Sequence, residues 1–497
     1  MPKEKKKYIG EIILVGILLL VAAYFCFSDL TEIPHIWFDD SLIMQLAKNV
    51  AVSGRYGIEI APNQFTSYPY YITVGFPVVL PAALTMKIFG VTVWAGRFAA
   101  VMFMLGMALA FYLLARAFFG RLTAFFATLL LISFPPLYGN GKPLLGEVPG
   151  LMYLFISILV WQRGHEEKSK RRMIIFYILA GLLAGFSAVS KPSYLLLIPG
   201  FAIMLFLEYL EHGGKYWRRF TAWIAGFFAA IFAWAAMTIP RPFSLQTMRE
   251  ILNYYSNSYA DTNIWANVWA NLGRLVTDGS AIFFLILFVV VLFAFFVEFF
   301  NKRISIEAAP LYVFVFLSFL WWLKTPGWYR YFFPAEIILL MFFPASLKVF
   351  LRTIFGTYLG GYFLRVVGLV ALVIFQFYWL SVRSFVSTSS APWIISILNN
   401  NFKSAPEIFV FNSPQFGFGI GGHNFTQLLY YNPIRSIGEN ALLRGPKDLP
   451  TVIVYDLNSV SEILPPVQPV LDEYYKTYGL FFGGQNIIMV RKDYARF

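Results

Sequence analysis

The stretch Phe38-Asp39-Asp40-Ser41-Leu42-Ile43-Met44-Gln45-Leu46-Ala47-Lys48-Asn49-Val50 sets two neighbouring carboxylates at the head of an amphipathic run. It follows directly on His35-Ile36-Trp37 and on an apolar segment from Ile9 to Phe27. Leu42, Ile43, Leu46, Ala47 and Val50 recur at helical spacing and Ser53-Gly54 closes the run, which predicts a helix lying on a membrane with an acidic N-terminus. Carboxylates at a membrane surface are costly to keep unless they bind or react. Asp is also a favoured helix cap, so one of the pair can cap or orient while the other reacts. Side chains one apart on a helix do not face each other, which argues against a matched acid/base pair.

Working outward, the whole chain is apolar. Of 497 residues, 59% are hydrophobic and 13% charged, 54 are Phe, and the mean hydropathy is +0.65. That composition predicts an α-helical polytopic membrane protein. The net charge of +13 does not signal nucleic acid, because the basic residues cluster in short loops between apolar spans. The single cysteine, Cys26, excludes an intramolecular disulfide. Met1-Pro2-Lys3-Glu4-Lys5-Lys6-Lys7 before the first apolar run reads as an uncleaved signal anchor with a cytoplasmic N-terminus.

Spans of about 20 apolar residues are expected at 9–27, 95–117, 122–138, 148–163, 173–190, 193–210, 220–239, 281–300, 309–323, 331–347 and 364–382, about eleven in all. Every loop this assigns to the cytoplasm (116–121, 163–172, 211–219, 301–303, 348–365) is basic, as the positive-inside rule requires. Residues 71–89 are apolar too, but Pro77 and Pro81 interrupt them, and a crossing there would invert every later loop. They are expected to lie in or dip into the outer interface. The chain then divides into a transmembrane domain, 1–382, and an extracytoplasmic α/β domain, 383–497. In the latter, β-like runs at Glu407–Phe411, Thr451–Tyr455 and Asn486–Val490 alternate with loops and a possible helix at Val470–Tyr478.

Three further outer segments carry candidate chemistry. Glu147, in Gly146-Glu147-Val148-Pro149, stands at the mouth of a span, either converging on the acidic pair or capping that span with Pro149 in its first turn. Arg330 and Tyr331, in Lys324-Thr325-Pro326-Gly327-Trp328-Tyr329-Arg330-Tyr331, offer bidentate phosphate recognition and a hydroxyl donor; the alternative is an Arg snorkelling to headgroups. Lys191, at a span end, is a lesser candidate of the same kind. Trp265 and Trp269, with Asn263, Asn267 and Asn271, read better as an interfacial helix than as a sugar platform. His35 and Asp39 are four apart, a ligand spacing if the segment is helical, so a divalent cation is possible, though a plain interfacial His fits as well. No Walker loop, HExxH or GxSxG signature is present.

The order of these features resembles the GT-C membrane glycosyltransferases: an anchor span, an acidic pair opening a surface helix, SGRYG, then SYPYY and KIFGVTVWAGRF, and GWYRYFFPAE later. The nearest branch holds the protein O-mannosyltransferases and the lipid A aminoarabinose transferases. The likeness is best over roughly residues 8–200. It implies that Asp39 is the catalytic base with Asp40 beside it, that Glu147 is the second-loop acid, and that Arg330 and Tyr331, with Lys191, hold a lipid phosphate. It further implies inverting transfer from a polyprenyl-phosphate-linked sugar donor to a hydroxyl of a lipid, glycan or protein acceptor outside the membrane. Thr66-Ser67-Tyr68-Pro69 stands where the aminoarabinose transferases carry a lysine before their proline pair, which argues against the lipid A branch. A lipid-linked sugar transporter or flippase is the rival reading; such proteins often show internal repeats and mid-span charges, which this chain lacks.

Overall fold

The computed structural model describes residues 3–494 except 67–72, 240–243, 257–262, 302–304, 357–358, 384–389, 421–423, 433–434, 462 and 482–484. A bundle is built by α1 (Lys3–Phe27), α2 (Phe38–Ser53), α3 (Phe76–Phe89), α4 (Val93–Phe119), α5 (Arg121–Ser133), α6 (Pro135–Gly141), α7 (Glu147–Glu166) and α8 (Lys170–Ser190). It continues with α9 (Leu197–His212), α10 (Trp217–Thr238), α11 (Leu245–Ser256), α12 (Ile264–Thr277), α13 (Gly279–Phe300), α14 (Ala309–Lys324), α15 (Phe333–Phe355) and α16 (Arg365–Arg383).

Among the described residues nine helices are long and apolar enough to cross a membrane, or ten if α5 and α6, bent by 63°, form one span. The remaining expected span, 148–163, is the 20-residue α7. It is not among the nine because its last turn, Gln162-Arg163-Gly164-His165-Glu166, is polar. The described part of 71–89 forms α3, whose 14 residues span about 21 Å, short of a bilayer core of about 30 Å. Pro81 inside α3 cannot donate to the carbonyl of Pro77, and the Tyr153 hydroxyl does so instead at 3.2 Å.

Small residues bring the spans together. A Cβ on Gly181 of α8 would lie 1.9 Å from the Trp223 carbonyl oxygen of α10, and one on Gly226 of α10 would lie 2.0 Å from that of Ile178. Such close backbone approach is the usual packing solution where lipid removes the hydrophobic drive between helices. Two arginines on α4 mark the ends of the bundle. Arg97 pairs with Asp40 at 2.7 Å, and Arg116 with Glu11 of α1 at 2.9 Å. Their nineteen-residue separation on one helix corresponds to about 28 Å.

The C-terminal unit is a six-stranded mixed sheet in the order β5-β4-β3-β6-β8-β7. Its strands are β3 (Ile408–Phe411), β4 (Phe425–Asn432), β5 (Arg435–Ile437), β6 (Val452–Asp456), β7 (Tyr475–Phe481) and β8 (Asn486–Arg491); a small hairpin, β1 (Glu59–Ala61) with β2 (Gln64–Phe65), precedes them in the chain. Central β3 runs parallel to β4 and β6. Period-two alternation sends Ile408 and Val410 toward α17 (Ser390–Asn401), and Phe409 and Phe411 into a second core with Leu471 and Tyr475. The expected strands at 407–411, 451–455 and 486–490 are present. The expected helix at 470–478 ends early, at Tyr474, where β7 begins to pair with β8.

This sheet covers α2. Gln45 donates to the Pro414 carbonyl at 2.7 Å, Gln427 of β4 donates to Gln45 at 2.8 Å, and Lys48 reaches the Phe418 carbonyl at 3.0 Å. The polar face of α2 is therefore buried under the C-terminal unit instead of facing water, so α2 is an internal helix where a surface helix was expected.

Candidate active site

At the head of α2 neither aspartate caps the helix. Trp37 occupies the N-cap with extended backbone and no side-chain cap bond, and Asp39 and Asp40 fall in the first turn. Adjacent helical positions point about 100° apart, and the two carboxylates part company accordingly.

Asp40 turns inward. Its Oδ2 takes a hydrogen bond from Arg97 at 2.7 Å, and its Oδ1 accepts from the backbone N–H of Leu144 at 2.6 Å. Arg97 also donates to the Leu30 and Pro34 carbonyls at 2.9 and 2.7 Å. Both charged side chains are fully buried. Asp40 is thus a clasp joining α2, α4 and the 142–146 loop.

Asp39 turns outward and forms an ion pair with Arg330. The guanidinium lies over the rings of Trp328, Trp37 and Tyr331, at 4.9, 5.2 and 5.5 Å from their centroids. Trp328 and Tyr331 stack on each other at 5.7 Å. These aromatic faces hold the charge by cation–π attraction, with the Tyr331 ring forming one wall of the site.

The position of Arg330 is set from below by α12. The last carbonyls of a helix need outside donors. Asn271, fully buried, donates to Trp322, Leu323 and Thr325 oxygens at 3.0, 3.0 and 2.8 Å. Asn267 donates to the Lys324 oxygen at 3.1 Å and Arg274 to that of Pro326 at 2.5 Å. Asn263 caps α12 itself. The asparagine series at four-residue spacing therefore fixes the 325–330 turn, while Trp265 and Trp269 on the other face are exposed, as in an interfacial helix.

Glu147 opens α7, and its Oε1 forms an ion pair with Lys191, which sits between α8 and the following 3₁₀ turn. Its other oxygen is buried without a hydrogen-bond partner. The Tyr194 hydroxyl donates to the Glu147 carbonyl. Gly146 permits the approach, since a Cβ there would lie 2.0 Å from the Ser190 oxygen. The two ion pairs belong to one end of the bundle, because Leu144, bonded to Asp40, stands three residues before Glu147.

Two titratable groups escaped the sequence reading. Lys142 is buried and donates to the Ser28 carbonyl at 2.5 Å. Burial pushes its pKa down to about 8, partly offset by Cys26 and Asp29. Glu336, in the first turn of α15, is fully buried, accepts a bond from the Tyr329 hydroxyl and keeps one oxygen unpartnered. An acid inside the apolar run after Arg330 was the available signal. The His35–Asp39 spacing carries no helical meaning, because α2 begins only at Phe38. Among the described residues no three His, Cys, Asp or Glu side chains gather as a metal site. Of Thr66-Ser67-Tyr68-Pro69, residues 67–69 lie outside the described residues.

Residues 77–238 match the model of the family described as dolichyl-phosphate-mannose-protein mannosyltransferase. No curated protein matches the chain by sequence. Solved structures do match over nearly its whole length. The Archaeoglobus fulgidus oligosaccharyltransferase in complex with Zn and sulfate superposes with a TM-score of 0.62 at 14% identity, covering 93% of this chain and 71% of that one. ArnT from Cupriavidus metallidurans bound to undecaprenyl phosphate gives 0.57 at 13%, covering 96% and 97%. The archaeal AglB in complex with an inhibitory peptide and a dolichol-phosphate gives 0.54 at 13%, covering 98% and 75%. The resemblance to GT-C membrane glycosyltransferases read from the sequence is borne out, and the protein has their multi-pass helical fold.

Proposed function

We propose that the chain is an inverting glycosyltransferase that moves a sugar from a polyprenyl-phosphate donor to an acceptor hydroxyl at the outer face of the membrane. The observation that carries this reading is the Asp39–Arg330 ion pair in its aromatic frame, set in a fold shared with ArnT bound to undecaprenyl phosphate and with AglB in complex with a dolichol-phosphate. The site lies at the end of the bundle opposite the basic Arg116–Arg121 turn, so the charge rule favours an extracytoplasmic site. The N-terminus is then cytoplasmic, and the 383–497 unit that covers α2 is extracytoplasmic.

Without substrate, Arg330 holds Oδ2 of Asp39, an oxygen that an acceptor hydroxyl would need. A donor phosphate presents a bidentate anion to the same guanidinium. Donor binding would then draw Arg330 off Asp39 and free the base. The acceptor oxygen attacks the anomeric carbon from the face opposite the phosphate, its proton passes to Asp39, and the C–O bond to phosphate breaks. The electron pair leaves on polyprenyl phosphate, whose charge Arg330 offsets. Lys191 and Glu147 stand as a second cation and acid at the same end, paired with each other.

General-base catalysis of this kind is worth about 10²–10⁴-fold. The test is transfer from a radiolabelled polyprenyl-phosphate sugar by purified protein in liposomes. Asp39→Asn should lose transfer by that factor while still binding donor, and Arg330→Lys should weaken donor binding. Undiminished turnover in Asp39→Asn refutes the assignment; sugar counterflow without bond cleavage makes the protein a transporter.

A further inference from the structure

At the end of the bundle remote from Asp39, a cavity of about 310 Å³ opens between the ends of α4, α13, α14 and α15. Thr123, Glu298, Tyr312, Phe342, Ser346 and Lys348 are among its walls. Tyr312 and Phe342 stack at 4.4 Å and form an aromatic side. Behind Thr123 stands Arg365, only 7% exposed. Its guanidinium has one hydrogen bond, to the Thr123 hydroxyl at 3.0 Å, and its Nε has no partner. Among the described residues no carboxylate lies within ion-pair distance of it. The undescribed stretches nearest to it in sequence, 357–358 and 384–389, contain no acid.

A buried guanidinium without a counter-charge is among the most costly arrangements a fold can hold. Arg97, Lys191 and Arg330 each have a carboxylate, and the buried Lys142 has the Ser28 carbonyl; Arg365 has only the Thr123 hydroxyl, at the wall of the cavity. We infer that this cavity is a binding site for the headgroup of a zwitterionic phospholipid carrying a phosphate and a primary amine. The phosphate sits against Lys348 and the Thr123 and Ser346 hydroxyls of the wall, with the Arg365 guanidinium directly behind Thr123. Arg recognises phosphate through parallel N–H donors. Glu298, on the wall contributed by α13, would repel a purely anionic headgroup, but it pairs with an ammonium, which the Tyr312 ring also attracts. Among the described residues of the wall the charges are one acid, Glu298, and one base, Lys348, which together select a headgroup of both signs over an anionic one. The cavity lies at the membrane face where the basic loops gather, so a lipid of that leaflet reaches it without crossing the bilayer. The inference does not depend on the proposed transfer reaction.

The test is lipid retention by the purified full-length protein after delipidation, read by native mass spectrometry with phosphatidylethanolamine, phosphatidylglycerol or phosphatidylcholine added back. Phosphatidylethanolamine is expected to be retained about tenfold more than phosphatidylglycerol, and more than phosphatidylcholine, whose methylated ammonium has no N–H to donate to Glu298. Combined Arg365→Gln and Lys348→Gln substitution should remove that retention, and Glu298→Gln should erase the preference over phosphatidylglycerol. Lys348 and Glu298 are at the rim, so their single variants keep the test open if Arg365→Gln disturbs folding. Equal retention of the three lipids by the unmodified protein overturns the inference, as does retention unchanged in the rim variants. Binding of soluble O-phosphoethanolamine as tight as that of the lipid overturns the lipid as its source.

Discussion

Replacing Asp40 with alanine should cost the fold about 3–5 kcal/mol, while replacing Asp39 with asparagine should cost less than about 1 kcal/mol. The two residues are adjacent, equally charged and each paired with an arginine, so the contrast comes entirely from placement. Asp40 and Arg97 are fully buried, and losing the carboxylate strands a guanidinium in the protein interior together with the N–H of Leu144. Asp39 and Arg330 keep 23% and 18% of their side chains exposed, and water can take over their hydrogen bonds. The assay is equilibrium unfolding in mixed detergent micelles, run on both variants, with transfer activity measured beside it. A double variant, Asp40→Leu with Arg97→Met, should recover much of the loss, because apolar pairs of similar volume commonly replace buried ion pairs without penalty. Asp40→Ala unfolding with wild-type stability, or Asp39→Asn being as destabilised as Asp40→Ala, would refute the division between a clasp and a reactive group.

Gly146→Ala should drive a Cβ into the Ser190 carbonyl, 2.0 Å away, and cost about 1–3 kcal/mol through forced separation of α7 and α8; unfolding together with a donor-binding assay would register both the strain and the displaced Glu147–Lys191 pair. Lys142 predicts a pH effect of definite sign. Below about 8 its ammonium is protonated in both folded and unfolded chains; between about 8 and the ordinary 10.5 only the unfolded chain keeps the proton. Stability should therefore rise with pH across that window, with a slope approaching about 1.4 kcal/mol per pH unit, and Lys142→Met should flatten it. Gln427→Leu leaves Gln45 and the Glu59 carbonyl without their donor, so a loss of about 1–3 kcal/mol and faster proteolysis between the sheet and α2 are expected.

Much of this architecture is legible in the chain because lipid imposes strong rules. The apolar spans and basic turns follow from length and charge alone, and α3, with Pro77 and Pro81, is shorter than the helices long enough to cross. The charged neighbours of the acids were less accessible. Nothing local in Asp39-Asp40 says which carboxylate points inward; that is decided by Arg97, fifty-seven residues later, and by the Leu144 N–H. Gln45 and Lys48 look like the polar face of a surface helix, and only a partner some 370 residues away turns that face into a buried seam. Asn271 was visible as a repeat but not as the donor to the end of α14, since orphan carbonyls leave no mark in sequence. Lys142 and Glu336 could have been found by asking which charges lie beside apolar runs.

The three ion pairs at this end form a series in exposure. Asp40–Arg97 is sealed, Glu147–Lys191 is nearly so, and Asp39–Arg330 opens to solvent. A sealed pair cannot exchange partners, because each charge would pass through an unpaired buried state costing several kcal/mol. The outermost pair faces a smaller barrier, since its partly exposed charges can be taken up by water as they separate, within reach of a charge-assisted bond from Arg330 to phosphate. The same fold thus fixes two acids and leaves the third able to exchange its partner. In the proposed reaction the base becomes available only when the phosphate has claimed Arg330, so donor binding and the freeing of Asp39 are one linked event.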